Sequence, residues 1–350
     1  MKRLVLFGAI AIGAMAVRAG ALAVADGSAV QVTPHESDRR VDVTIGGQPF
    51  TSYIWPTTLK KPVLYPIRTA RGVVVTRGYP LEPRPGERVD HPHHVGLWFN
   101  YGNVDGYDFW NNSDAIPEER RPHMGTIYQR AVTAATSGAD QGTLDVDADW
   151  VIPDGTVLLK EHTRYVFSGT ATTRVIDRTT TLTAGARAVS LADNKEGVFG
   201  LRVARALEIP SKTPEVFTDA SGKATSVPTL DNTGVNGDYL TSEGKTGDAV
   251  WGTRGRWCVL SGKVGDSPVS IAILDAPSNP GYPTYWHARG YGLFAANPLG
   301  QKDLSAGKDV FNYGLTAGQS TVFNYRVLLV DGTTTAADIE AAWKKWTTAN

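Results

Sequence analysis

Apolar and polar positions alternate with a period of two through much of this chain. Val41-Asp42-Val43-Thr44-Ile45, Thr143 to Trp150, Thr163 to Phe167, Thr173 to Thr183 and Ser320 to Val330 all repeat it. That period belongs to strands with one face buried and one face wet. Gly46-Gly47, Pro153-Asp154-Gly155, Ala184-Gly185 and Ala317-Gly318 separate the strands as turns. Only the end of the chain changes rhythm. There Ile339, Ala342, Trp343 and Trp346 form one helical stripe, and Thr335 and Asp338 stand at the spacing of a capping pair. The pattern predicts an all-β fold: a large antiparallel β-sandwich closed by a short C-terminal α-helix whose tryptophans pack on the sheets. No linker composition or fixed-period repeat divides it.

Composition agrees, with 37 glycines and 20 prolines favouring short strands and tight turns. The first residues follow different rules. Lys2 and Arg3 precede an apolar run, Leu4 to Val17, and small residues then offer cleavage after Ala23 or Ala25. We expect residues 1–25 to be a signal peptide and 26–350 one sandwich domain, exported to the periplasm or beyond. No later stretch has the roughly 20 apolar residues that a membrane helix needs. Lys plus Arg, 35, equals Asp plus Glu, 35, so no net field draws nucleic acid or anionic lipid. The single cysteine, Cys258, sits in an apolar strand-like run and reads as a small buried hydrophobe.

The chemistry concentrates in a few segments. Asp90-His91-Pro92-His93-His94 holds three of the seven histidines. A strand starting near His94 puts His94, Trp98 and Asn100 on one face, with Val95, Leu97, Phe99 and Tyr101 on the other. Imidazole is both the commonest metal ligand and the side chain that titrates nearest neutrality. His91, His93 and His94 therefore admit three roles: a divalent metal site completed by Asp90 or His287, substrate or acid–base contact, or support of loop backbone. Trp110, in Asp105-Gly106-Tyr107-Asp108-Phe109-Trp110, is a stacking platform or a core plug. Glu196 and Arg202 share a face of the next strand, and Glu196 is a candidate acid or base. Glu243 follows as a second candidate carboxylate. Arg254 and Arg256, flanked by glycines, suit a carboxylate or several hydroxyls. Tyr285, His287, Arg289 and Tyr291 alternate onto one face. Such a mixture of aromatics, fork donors and carboxylates suits a sugar or oligosaccharide ligand.

His91-Pro92-His93-His94 with Gly96-Leu97-Trp98-Phe99, Asp108-Phe109-Trp110, Trp251 to Trp257 and Tyr282 to Tyr291 together resemble the PmoA-like family of exported bacterial proteins. The resemblance runs from about residue 50 to 330. It implies no methane monooxygenase activity, since that subunit is a bundle of membrane helices. The close of the chain, with Leu315 to Ser320 and Tyr325-Arg326, is similar to galactose-mutarotase-like supersandwiches. That likeness implies a sheet carrying a sugar, with His94 or His287 as acid and Glu196 or Glu243 as base. Three readings follow: an exported carbohydrate-active epimerase, lyase or glycoside hydrolase, a non-catalytic carbohydrate binder, or a metal-dependent enzyme built on the clustered histidines.

Overall fold

The computed structural model describes residues 28–349, apart from 212 and 228–230. The expected signal peptide, 1–25, lies outside the described residues. Two eight-stranded antiparallel sheets pack face to face. One sheet runs, edge to edge, through Val30–His35, Arg40–Ile45, Gln48–Ile54, Val63–Leu64, Leu97–Tyr101, Gly197–Arg202, Leu293–Asn297 and Tyr285–Arg289. The other runs through Asp238–Thr241, Trp257–Val264, Ser267–Asp275, Ser320–Asp331, Thr173–Ala184, Val157–Gly169, Gln141–Val151 and Thr126–Thr136. The all-β sandwich is as the alternation predicts.

Period-two alternation sends one row of each strand into a shared core. Leu97, Phe99, Phe199, Leu201, Trp286 and Phe294 enter it from the first sheet. Phe99 meets Phe323 at 5.4 Å and Phe199 stacks on Tyr325 at 4.8 Å, which ties the sheets together. Each such ring contributes about 1.5–3 kcal/mol when fully buried. Cys258 is buried and free in this core, as expected.

The outer face of the first sheet is also covered. Trp98, Trp110, Val63, Tyr65, Val95, Leu293 and Ala295 form a second apolar cluster there. Every residue of Leu97–Tyr101 is therefore buried, which is why the strand is apolar on both faces apart from Asn100. Gly96 sets where that strand begins. Its φ is +59°, and a Cβ would stand 2.2 Å from the carbonyl oxygen of Leu64. The strand thus starts at Leu97 rather than near His94. Val95, expected to face the core, packs in the outer cluster instead. Gly96→Ala should cost about 3 kcal/mol, from left-handed strain and the backbone clash together, and thermal unfolding measures it.

The C-terminal helix, Ala336–Ala349, is capped as expected: Asp338 N–H donates to Thr335 Oγ1 at 3.2 Å, and Thr335 N–H donates to Asp338 Oδ2 at 2.9 Å. Ile339 and Trp346 are buried on the outer side of the second sheet, with Trp257, Leu274 and Leu328. Among the described residues no helix is long and apolar enough to cross a membrane.

Candidate active site

Strand register assembles the floor of the site. Trp98 lies opposite Gly200, Gly200 opposite Ala295, and Ala295 opposite His287. A large, a small, a small and a polar side chain thus stand in one row on the outer face. The Trp98 indole spreads over Gly200, where a Cβ would lie 2.6 Å from Cζ2. One step along, Arg202 is opposite Leu293 and Leu293 opposite Arg289.

The loop Asp90–His94 folds over this floor as a column of rings. His94 stacks on Trp98 at 5.2 Å, His91 on His94 at 4.8 Å, and Tyr291 on His91 at 5.0 Å. Below, Arg77 and Arg202 each donate to Asp90 Oδ1 at 2.6 Å. Arg77 also donates to the carbonyls of Asp90, His91 and His94. A guanidinium presents its donors as a rigid fork, so one side chain fixes the whole turn. Asp90 Oδ2 lies 2.8 Å from His91 Nδ1. A carboxylate only accepts, so His91 Nδ1 carries the hydrogen and Nε2 is left to the site. The His91 backbone sits at φ +43°, left-handed for a residue with a β-carbon.

The three histidines differ in what they can do. His94 is 1% exposed and its Nδ1 accepts from Arg202 Nη1 at 3.3 Å. Burial, then His93 and Arg202, hold it well below the ordinary imidazole range. His93 is pushed down to about 2 by burial, Lys61 and His91. The Nε2 atoms of both are sealed without a partner. The His91 side chain, by contrast, is 41% exposed. His93 and His94 therefore support the column, and His91 faces outward. Among the described residues no group of three or more His, Cys, Asp or Glu side chains is arranged to hold a metal ion. Parallel stacking of His91 on His94 separates the nitrogens that a shared metal would need on one side.

Glu196 and His287 close the other side. His287 Nδ1 donates to the Lys195 carbonyl at 3.0 Å, which leaves Nε2 as the ring's lone-pair atom. Burial, then Arg289, lower its pKa to about 3, so it stays neutral. Glu196 is partly covered, with Lys195 Nζ 3.6 Å from Oε1. Burial raises its pKa, Lys195 opposes that rise, and Asp108 adds to it. His91 lies in the electrostatic range of both Glu196 and His287.

The remaining candidates separate. Trp110 is a plug rather than a platform: it is fully buried, 5.2 Å from Trp98 and 5.6 Å from His94. Asn100 donates to the Phe109 carbonyl at 2.6 Å and so positions the segment that carries Trp110. Arg254 donates to the carbonyls of Pro283 and Gly281 and covers the Tyr285 ring at 5.1 Å, so it braces a loop. Tyr285 itself donates to Asp309. Arg256 pairs with Glu340 of the C-terminal helix at 2.9 Å and with Glu243 at 3.3 Å. The fold thus brings His91, Glu196, His287, Arg289 and Tyr291 together and spends Glu243 and Arg256 on the helix contact.

Lys61 and Arg77 gave no motif to find. Lys60-Lys61 reads as a solvated pair, yet Lys61 is 5% exposed. It donates to the His93 carbonyl at 2.7 Å and lies 5.4 Å from the centre of the Trp98 ring.

The fold is a two-sheet antiparallel sandwich with a candidate histidine-and-carboxylate site on the outer face of one sheet. The chain belongs to DUF6807, a family of unknown function, whose profile matches residues 40–344; the PmoA-like label is not part of that description. No curated protein matches it. Several solved structures are distantly similar. A galactose mutarotase-like protein from Clostridium acetobutylicum is 10% identical, with 87% of this chain and 99% of that one covered and a TM-score of 0.33. A galactose mutarotase related enzyme from Lactobacillus acidophilus is 9% identical, with 87% and 98% covered and a TM-score of 0.30. The galactosidase domain of an alpha-galactosidase-sucrose kinase is 9% identical, with a TM-score of 0.39; the match covers 86% of this chain but 42% of that one. Likeness this distant says nothing of what this chain binds, so its chemistry rests on its own residues.

Proposed function

We propose that this protein is an exported enzyme that acts on a sugar or related polyhydroxylated compound by proton transfer. The charged start, apolar run and small residues of positions 1–25 support export. The observation that carries the chemistry is the Asp90–His91 pair. Two buried arginines fix the carboxylate, the carboxylate fixes the imidazole tautomer, and a strained backbone aims an exposed ring at the site. Strain of this kind, about 1–3 kcal/mol, persists where surrounding structure over-determines it, and it clusters at functional sites. An oriented imidazole is the usual proton-transfer group near neutrality.

Glu196 is the partner, because burial biases its carboxyl towards the protonated form that a general acid needs. His287 has a different role. A conjugate acid near 3 makes it a poor base, so its Nε2 accepts a hydrogen bond from a hydroxyl instead. Hydroxyls both donate and accept, and the rim offers both kinds of partner: His287 Nε2 and Glu196 accept, while Arg289 and Lys195 donate. Glu243 pairs with Arg256, which supports proton transfer at a carbon, as in an epimerase or lyase, over hydrolysis between Glu196 and Glu243.

The test incubates the protein in D2O with a panel of aldoses, uronates and nitrophenyl glycosides and follows new or exchanged signals by proton NMR. His91→Asn and Glu196→Gln should each slow the reaction by about 10²–10⁴-fold while the unfolding temperature holds. Full activity in both variants would refute the assignment. Binding of a panel member with no turnover would favour a carbohydrate-binding protein.

A further inference from the structure

We infer that the ligand of this site carries a carboxylate and that Arg289 receives it, which makes an acidic sugar the substrate class. The inference rests on the sugar-active reading above. Arg289 ends the strand Tyr285–Arg289, two residues past His287 and on the same face. Its surroundings set it apart from the other arginines of the region. Arg77 and Arg202 share Asp90, Arg88 is paired with Glu208 and Glu215, and Arg254 is held by loop carbonyls. Among the described residues the Arg289 guanidinium has no hydrogen bond or ion pair, although the Arg289 carbonyl accepts from Gly292 and Tyr239. Aromatic rings hold it instead: its guanidinium carbon is 5.5 Å from the centre of Trp251 and 5.7 Å from that of Tyr291.

Such contacts engage the charge of the guanidinium, and no described residue takes up its N–H groups. The free edge is the fork that matches a carboxylate through two parallel hydrogen bonds. It borders a cleft of about 550 Å³, room enough for a sugar. Tyr291 lines the same cleft, lies 5.7 Å from the Arg289 guanidinium carbon and stacks on His91 at 5.0 Å, so Arg289 and the Asp90–His91 pair meet the same ring, and the proposed ligand reaches from the cleft around that ring to His91. Two carboxylates, Asp248 and Glu215, also line the cleft, and Glu215 is paired with Arg88.

The chemistry agrees with this placement. A hydrogen on the carbon next to a carboxylate leaves as a proton to His91 Nε2, and the C–H electron pair moves into the carboxylate as an enediolate. Arg289 offsets the charge that builds there. Glu196 returns a proton to that carbon, so the step needs no oxidant or further reactant. Delivery to the opposite face inverts the centre.

The experiment titrates the full chain with glucuronate, galacturonate, glucose and galactose, and reads tryptophan fluorescence and calorimetry. Wild type should bind a uronate at least tenfold more tightly than its neutral counterpart. Arg289→Gln should lose at least tenfold more affinity for the uronate than for the neutral sugar, with Arg289→Lys in between and all three proteins unfolding at similar temperatures. Equal binding of both classes, or a uronate preference that survives in Arg289→Gln, overturns the inference. If neutral sugars react in a His91-dependent way with no uronate preference, this inference fails and the proton-transfer reading stands. If no sugar binds, both fail.

Discussion

Asp90→Ala should destabilise the protein by about 3–5 kcal/mol, the usual effect of removing one partner of a buried ion pair. Arg77 and Arg202 are 1% and 0% exposed, and both spend a donor on the same Asp90 oxygen. Without that carboxylate two guanidinium groups stay buried with no counter-charge, and His91 loses the acceptor that holds its ring. The effect also carries a pH signature. Burial pushes the Asp90 carboxyl up, but the His91 hydrogen bond and the charges of Arg202 and Arg77 outweigh it and hold the group well below the usual range. An unfolded aspartate titrates near 4, so the contribution is complete above about pH 5 and fades as pH falls towards the native value. Urea unfolding at pH 7 and pH 3 checks both parts. Wild type should lose about 1 kcal/mol between them through this residue, and the variant should lack that component. Equal acid sensitivity in the two proteins would contradict the account.

Lys61→Met is the second large effect, and it has the opposite sense of pH. Burial lowers the native pKa of Lys61 from 10.5 to about 7, with Asp108 opposing it. The unfolded chain keeps that proton until about pH 10.4. Between pH 7 and 10 the unfolded state therefore binds more protons, and stability rises with pH. The slope approaches about 1.4 kcal/mol per pH unit while the native group is neutral and the unfolded one charged. Methionine removes the ionisable group, so the variant should show a flat profile over that window. It leaves the His93 carbonyl without its donor, at about 1–3 kcal/mol. Wild type should accordingly gain on the variant as pH rises. Parallel profiles would show that Lys61 titrates normally in the folded state.

Much of this architecture is legible in the sequence because alternation is a local signal. The strands at 41–45, 143–150, 163–167, 173–183 and 320–330 each show their buried row within a few residues, and the structure places them as strands. The C-terminal helix is equally plain, since its stripe and its cap lie within one segment. The candidate site was readable in part. His287 and Arg289 stand out because polar residues at strand positions need a reason, His91 because it belongs to a histidine cluster, and Glu196 because it stands at the entry to a strand. Gly96 misled the alternation by one step, since a left-handed residue reverses which face the next side chain meets.

The rest was not written locally. Lys61 and Arg77 sit in unremarkable stretches and become site residues only when the fold buries them against the 90–94 loop. Glu243 and Arg256 look like Glu196 and Arg254 in the chain, yet Glu340 in the last helix turns Arg256 aside. His91, His93 and His94 are near-equivalent in sequence and differ in the fold by exposure, hydrogen-bond partner and backbone conformation.

The sequence by itself determined the sandwich, its capped helix and the residue types from which a sugar-like site could be drawn. Those properties come from periodicity, propensity and side-chain chemistry, which are complete within a short stretch of chain. Tertiary structure decided which histidine faces solvent, which guanidinium stays unpaired and which glutamate joins the candidate site. Burial, counter-charge and ring stacking make those choices, and all three depend on residues that only folding brings into contact.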